Sequence, residues 1–146
     1  LETANTLEAN PKTKHPIIYS SPKQGANIKR RAYGGTMRLG GWDCRVEENT
    51  LAFAAYEEFK WFKGLKENIV SERHRHRFEF NEAYAKMLTD CKLVISGRSV
   101  VENLVEIIEL PKSIHPFFIG TQFHPEYQSR PLSPHPLFVA FLRSCL

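Results

Sequence analysis

No stretch of the 146 residues is apolar for long enough to span a bilayer, and no basic-then-apolar leader opens the chain. The expectation is a soluble, untargeted, cytoplasmic protein. Cysteine is scarce: Cys44, Cys91 and Cys145 are odd in number and irregularly spaced, which argues against a disulfide framework and a zinc site and for a reducing compartment. No other spacing of His, Cys, Asp and Glu suggests a metal, and no repeat or low-complexity tract occurs. Position 1 is leucine rather than methionine, so a cut through a longer polypeptide is expected.

What is present suits one domain with a core. The chain is 42% apolar with a formal charge of +4. Residues 1–16 read as a loop or extended arm, Ile17–Tyr19 as a short strand, and Ser20–Arg31 as a flexible surface connection. Thr36–Val46 reads as a strand bent at Gly40-Gly41, followed by a helix over Thr50–Phe59 capped by Asn49 or Thr50 and a break at Gly64. Arg75–Phe80 alternates at period two. Asn81 then caps a helix with Tyr84, Met87, Leu88 and Cys91 on one stripe. Leu93–Ser96, Leu104–Leu110 and Phe117–Phe123 predict three strands, the first two an antiparallel hairpin. The last helix, Leu137–Leu146, sets Leu137, Phe138, Phe141, Leu142 and Cys145 on one face.

Chemistry concentrates in Gln122-Phe123-His124-Pro125-Glu126. An apolar strand ends there, Pro125 stops its ladder, and Glu126 can fold back to orient the His124 ring. A carboxylate that fixes the tautomer and stabilises the imidazolium is what a histidine needs to act as a general base. The arrangement is a catalytic triad without its nucleophile. The surroundings of the three cysteines do not mark one as that nucleophile: Cys44 lies between Asp43 and Arg45 in an expected strand, Cys91 ends an amphipathic helix, and Cys145 falls on the apolar stripe of the last helix. Each reads as a buried or incidental thiol.

Gln122 to Tyr127 followed by Ser129-Arg130-Pro131 resembles the C-terminal signature of class I glutamine amidotransferases. Gly34–Gly40 and Glu72–Glu79 resemble stretches of the CTP synthase family within that class, as do Ala4–Glu8 and Leu104–Glu109. The resemblance implies an α/β fold, the C-terminal portion of a doubly wound, flavodoxin-like class I glutaminase domain. The first half of that domain, with its central parallel strands and a Gly-x-Cys-x-Gly nucleophile turn, would lie upstream, together with a synthase domain. It assigns catalysis to His124 and Glu126 and glutamine binding to Glu8 and Arg77, whose planar guanidinium suits an α-carboxylate. Thr36 and Arg38 become candidates for an effector site on a mobile lid. The implied reaction is cysteine attack on the glutamine side-chain amide, with ammonia passing to a synthase that uses ATP and UTP.

The same resemblance implies that this segment binds no cofactor itself, that Mg and a GTP activator serve the complete enzyme, and that the complete enzyme is a homo-oligomer. The segment alone is expected to lack glutaminase activity and to be unstable. Residue type alone leaves other readings open: Glu8 as an exposed loop carboxylate, Gly34–Gly40 as a plain turn into a strand, and Arg73, Arg75 and Arg77 as a basic stripe for nucleic acid. The stripe is disfavoured because Glu72 and Glu79 flank it and no aromatic ladder accompanies it. Another class I amidotransferase, a γ-glutamyl hydrolase, and a catalytically dead regulatory or scaffolding module are the competing functions. His15, His115 and His135 each precede a proline and receive no chemistry.

Overall fold

Two sheets carry the strands of the computed structural model, which describes residues 2–20, 38–64 and 67–146. The larger has five strands in the order β4-β3-β6-β7-β8, every pairing antiparallel: β3 (Arg38–Val46), β4 (Ile69–His76), β6 (Val94–Ser99), β7 (Val105–Glu109) and β8 (Ile119–Thr121). The smaller has three. In it β2 (His15–Ser20) pairs parallel with β1 (Ala4–Thr6) and antiparallel with β5 (Phe78–Phe80). Arg77 alone separates β4 from β5, so the chain changes sheets at that residue.

Along β4 the alternation is strict. Val70, Glu72 and His74 are buried, whereas Arg73 and Arg75 are exposed. The sequence reading began this strand too late, at Arg75, because its buried row is polar at two of three places and gives no apolar rhythm from Ile69 onward. Opposite His74 in the ladder lies Gly40, whose φ of 87° is open to glycine and strained for any other residue. Gly97 on β6 is required for space: a Cβ there would lie 2.6 Å from Ile107 Cγ1 and 2.9 Å from Cys44 Sγ.

Helix α1 (Leu51–Glu58) starts where Thr50 Oγ1 accepts from the Phe53 N–H at 3.1 Å. Its first two N–H groups donate to the buried Glu109 carboxylate, Leu51 at 2.7 Å and Ala52 at 3.1 Å. A carboxylate there satisfies orphan donors and favours the helix dipole. With α1 in place, Ala52, Ala55 and Tyr56 pack against Cys44, Val46, Val70, Ile107, Phe123 and Leu137. A second cluster joins β2, β5, β6 and β7 through Ile17, Phe80, Ile95 and Val105.

Three expected elements come out shorter. The helix after Asn81 is a 3-10 turn (Glu82–Tyr84) followed by α2 (Ala85–Asp90), and its predicted stripe is not a core seam, since Met87 and Cys91 are exposed. Six residues make too short a helix for that seam, and only Ala85 is buried. Helix α3 (Pro136–Arg143) ends before Cys145, which is exposed, and of its apolar stripe only Leu137 is buried. The strand expected over Phe117–Phe123 is confined to Ile119–Thr121. The hairpin of β6 and β7 is as expected.

Candidate active site

Phe123, 3% exposed, anchors the chain just beyond β8. The next residue is held by its backbone: His124 N–H donates to Arg73 O of β4 at 2.8 Å. A 3-10 turn over Pro125–Tyr127 follows, and it returns the Glu126 carboxylate to the ring, with Nδ1 and Oε1 2.7 Å apart. Tyr127 stacks on a face of the imidazole, centroids 4.8 Å apart and planes 17° from parallel. Because a carboxylate accepts, Nδ1 donates and Nε2 is left as the proton acceptor. Partial burial pushes the Glu126 carboxyl up, but its hydrogen bonds from His124 and from backbone, together with the nearby imidazoles, outweigh this and hold it below the ordinary value.

An open depression of about 700 Å³ adjoins this pair, lined by Leu39, Arg73, His74, Arg75, Tyr127 and Arg130. Beneath it lies a buried polar cluster. Arg38, 4% exposed, donates to Glu106 Oε1 at 2.6 Å and to Glu79 Oε2 at 3.4 Å, and its guanidinium lies 4.5 Å from the Trp42 ring centre. His76 Nδ1 must carry a proton, because it faces the Phe78 carbonyl at 3.0 Å; its Nε2 then accepts from His74 Nδ1 at 2.7 Å. That leaves the bare His74 Nε2 facing Glu106 Oε2 at 3.6 Å. Two lone pairs facing each other in a buried site repel, which favours the protonated form of Glu106.

Burial acts in the same direction. Burial pushes Glu106 and Glu79 each up to about 7 against the pull of Arg38. Burial, with Arg38 adding to it, lowers His74 to about 3 and His76 to about 4. Both rings are neutral near pH 7.

The other candidates are placed as follows. Arg77 is half-buried at the joint between the sheets, and Gln122 Nε2 donates to the neighbouring Phe78 O at 3.0 Å, tying the joint to the strand that leads to His124. Glu8 is exposed just after β1, its N–H donating to Thr6 Oγ1 at 3.1 Å. Thr36 lies outside the described residues. Arg38 is turned inward onto Glu79 and Glu106 rather than outward to solvent. Cys44 is buried, and burial first, then the charges of Glu106 and Glu72, push its thiol far up, which keeps it neutral. Among the described residues no group of three or more His, Cys, Asp and Glu could hold a metal ion, and no helix is long and apolar enough to cross a membrane.

The family model for class I glutamine amidotransferases matches residues 21–144. The chain belongs to the class I glutamine amidotransferases. Within that family it is 50% identical over its whole length to the CTP synthase of Caldanaerobacter subterraneus subsp. tengcongensis, and 48% identical to that of Nostoc punctiforme. It spans about a quarter of the length of these relatives, 25% and 24% respectively. The glutaminase domain of Trypanosoma brucei CTPS, solved with bound acivicin, superposes with a TM-score of 0.77 at 32% identity, covering 98% of this chain and 50% of that one. The fold is thus the mixed α/β fold of the class I amidotransferase.

Sequence reasoning missed one group beside the pair. His135, set aside as a turn residue, is fully buried, and its Nε2 lies 3.0 Å from Glu72 Oε1. Its Nδ1 accepts from the Leu137 N–H at 3.3 Å, so it caps α3 and carries its proton on Nε2, toward Glu72. Its place before Pro136 at a helix start was the available signal.

Proposed function

We propose that this chain is the C-terminal part of the glutaminase domain of a CTP synthase and that His124 and Glu126 are the base and orienting acid of its triad. The observation that carries this reading is the 2.7 Å contact between His124 Nδ1 and Glu126 Oε1, which leaves Nε2 bare at the start of a 3-10 turn. A cysteine thiol supplied by the rest of the domain gives its proton to Nε2 as the sulfur attacks the side-chain amide carbon of glutamine. The tetrahedral intermediate collapses, His124 returns the proton to the departing ammonia, and a glutamyl thioester remains. Water, deprotonated by the same nitrogen, then releases glutamate and the thiol.

Arg77 and Glu8 are the proposed contacts to the glutamine α-carboxylate and ammonium. The remainder of the domain is the proposed partner. In support, the solved relative is about twice as long, as the 50% coverage of its chain implies, and a groove of about 360 Å³ by β8 and α3 leaves Phe118, Phe138 and Phe141 exposed at 42%, 39% and 49%. The synthase domain, with ATP, UTP, Mg, a GTP activator, oligomeric assembly and a cytoplasmic setting, belongs to the same proposal. For Arg38 to meet an effector, its guanidinium would have to leave Glu79 and Glu106.

The test is His124→Ala in the full-length protein. Glutamine-dependent CTP formation should fall about a thousandfold or more, and ammonia-dependent formation should stay within about twofold. Equal loss of both activities overturns the assignment.

A further inference from the structure

We infer that Glu72 and Gln128 are positioning residues for the His124–Glu126 pair, a role that deepens the glutaminase reading and rests on it. Glu126 is 54% exposed at its side chain and sits on a turn of three residues, whose own bonds, from Tyr127 N–H to His124 O and from Gln128 N–H to Pro125 O at 3.1 Å each, do not tie it to the rest of the fold. The holding comes from both ends. At the upstream end His124 N–H donates to Arg73 O at 2.8 Å. At the downstream end the Gln128 side chain crosses back to the same strand, its Nε2 donating to Ser71 O at 2.8 Å and to Glu72 Oε2 at 2.6 Å. Residues 71–73 of β4 therefore grip the turn on either side of Glu126.

Glu72 is what makes the downstream grip rigid. It is fully buried, and its other oxygen accepts from Tyr56 Oη of α1 at 3.0 Å and from His135 Nε2, the cap of α3, at 3.0 Å. One carboxylate thus accepts three hydrogen bonds from three separate parts of the chain. His135 also closes the loop from behind, its N–H donating to Ser129 Oγ at 3.2 Å. Cutting the Gln128 link removes the downstream tie to β4 and leaves the His124 N–H as the turn's remaining backbone bond to that strand. A misplacement of the order of 1 Å at a reacting group can cost about a hundredfold in rate.

The experiment compares Gln128→Met, Val105→Ala and His124→Ala in the full-length protein. Val105 lies in the second cluster, away from β4, and serves as a control that lowers stability without touching the turn. Gln128→Met should lower kcat for glutamine-dependent CTP formation by about tenfold to a hundredfold. Its KM for glutamine and its ammonia-dependent rate should stay within about twofold, the latter also reporting that the protein is folded. The downfield proton resonance of His124 Nδ1–H should weaken or vanish in Gln128→Met and persist in Val105→Ala. If Gln128→Met keeps both kcat and that resonance while His124→Ala is inactive with glutamine, the positioning inference fails and the glutaminase reading stands. If His124→Ala retains glutamine-dependent activity, the glutaminase reading itself fails.

Discussion

Replacing Arg38 with methionine keeps most of its stem and strips the cation from between Glu79 and Glu106, both nearly inaccessible to water. Removing one partner of a buried, hydrogen-bonded charge pair costs about 3–5 kcal/mol, because the charge left behind is uncompensated. Here the two carboxyls can escape by taking up protons, so the loss depends on pH. Each acid already has a folded pKa raised to about 7, and a raised carboxyl stabilises fully below its ordinary value and loses that contribution as pH rises through the folded pKa. Without Arg38 both acids stay protonated in the folded state to higher pH, and the variant goes on losing about 1.4 kcal/mol per acid per pH unit after the parent has levelled off. The penalty at pH 8 should therefore exceed that at pH 6 by about 3 kcal/mol. His74 and His76 run the other way, their lowered values giving stability that is present above the ordinary imidazole pKa and lost as pH falls through about 4 and 3. They add an acid-side loss that this substitution lessens, because the Arg38 charge helps to lower both rings. Urea-dependent amide exchange at β3 and β7 in the full-length protein measures the difference. Equal destabilisation at pH 6 and pH 8, or less than about 1 kcal/mol at both, would refute the reasoning.

Two further substitutions probe separate features. Gly97→Ala forces a Cβ to within 2.6 Å of Ile107 Cγ1 and should destabilise the domain by about 1–3 kcal/mol, partly recovered by Cys44→Ala, which clears the Sγ at 2.9 Å; thermal melts of the two variants decide it, and an unchanged midpoint for Gly97→Ala would contradict the packing described. Arg77→Lys, if Arg77 grips the glutamine carboxylate with both arms of its fork, should raise KM for glutamine about tenfold with kcat nearly unchanged, whereas a loss in kcat alone would argue for a different role.

The parts of the fold that could be read in the sequence are those whose residues speak locally. Thr50 caps α1 where a side-chain oxygen precedes an apolar helical run, the β6–β7 hairpin follows from two β-rich runs close together in the chain, and His124 and Glu126 meet because Pro125 between them opens a 3-10 turn. What could not be read depends on partners far along the chain. Glu72 looks like a solvated flank of a basic run until Tyr56, Gln128 and His135 converge on it, 16, 56 and 63 residues away. Arg38 looks like a loop cation until Glu79 and Glu106 enclose it, 41 and 68 residues away. The stripe from Tyr84 to Cys91 failed for a related reason: helical periodicity states which side chains share a face, not whether another element covers it.

The alternation of charge along β4 bears on how this strand tolerates change. A shift of its pairing by a single position would send Arg73 and Arg75 into the interior and turn Glu72 and His74 out to water. An all-apolar inner row would resist that one-position slip as well, but it would admit a slip of two positions, since one hydrocarbon then replaces another. Polar interior positions that weaken the core as a source of cohesion thereby act as a key that fits one alignment, and neutral drift at them is narrowed to changes that keep the lock.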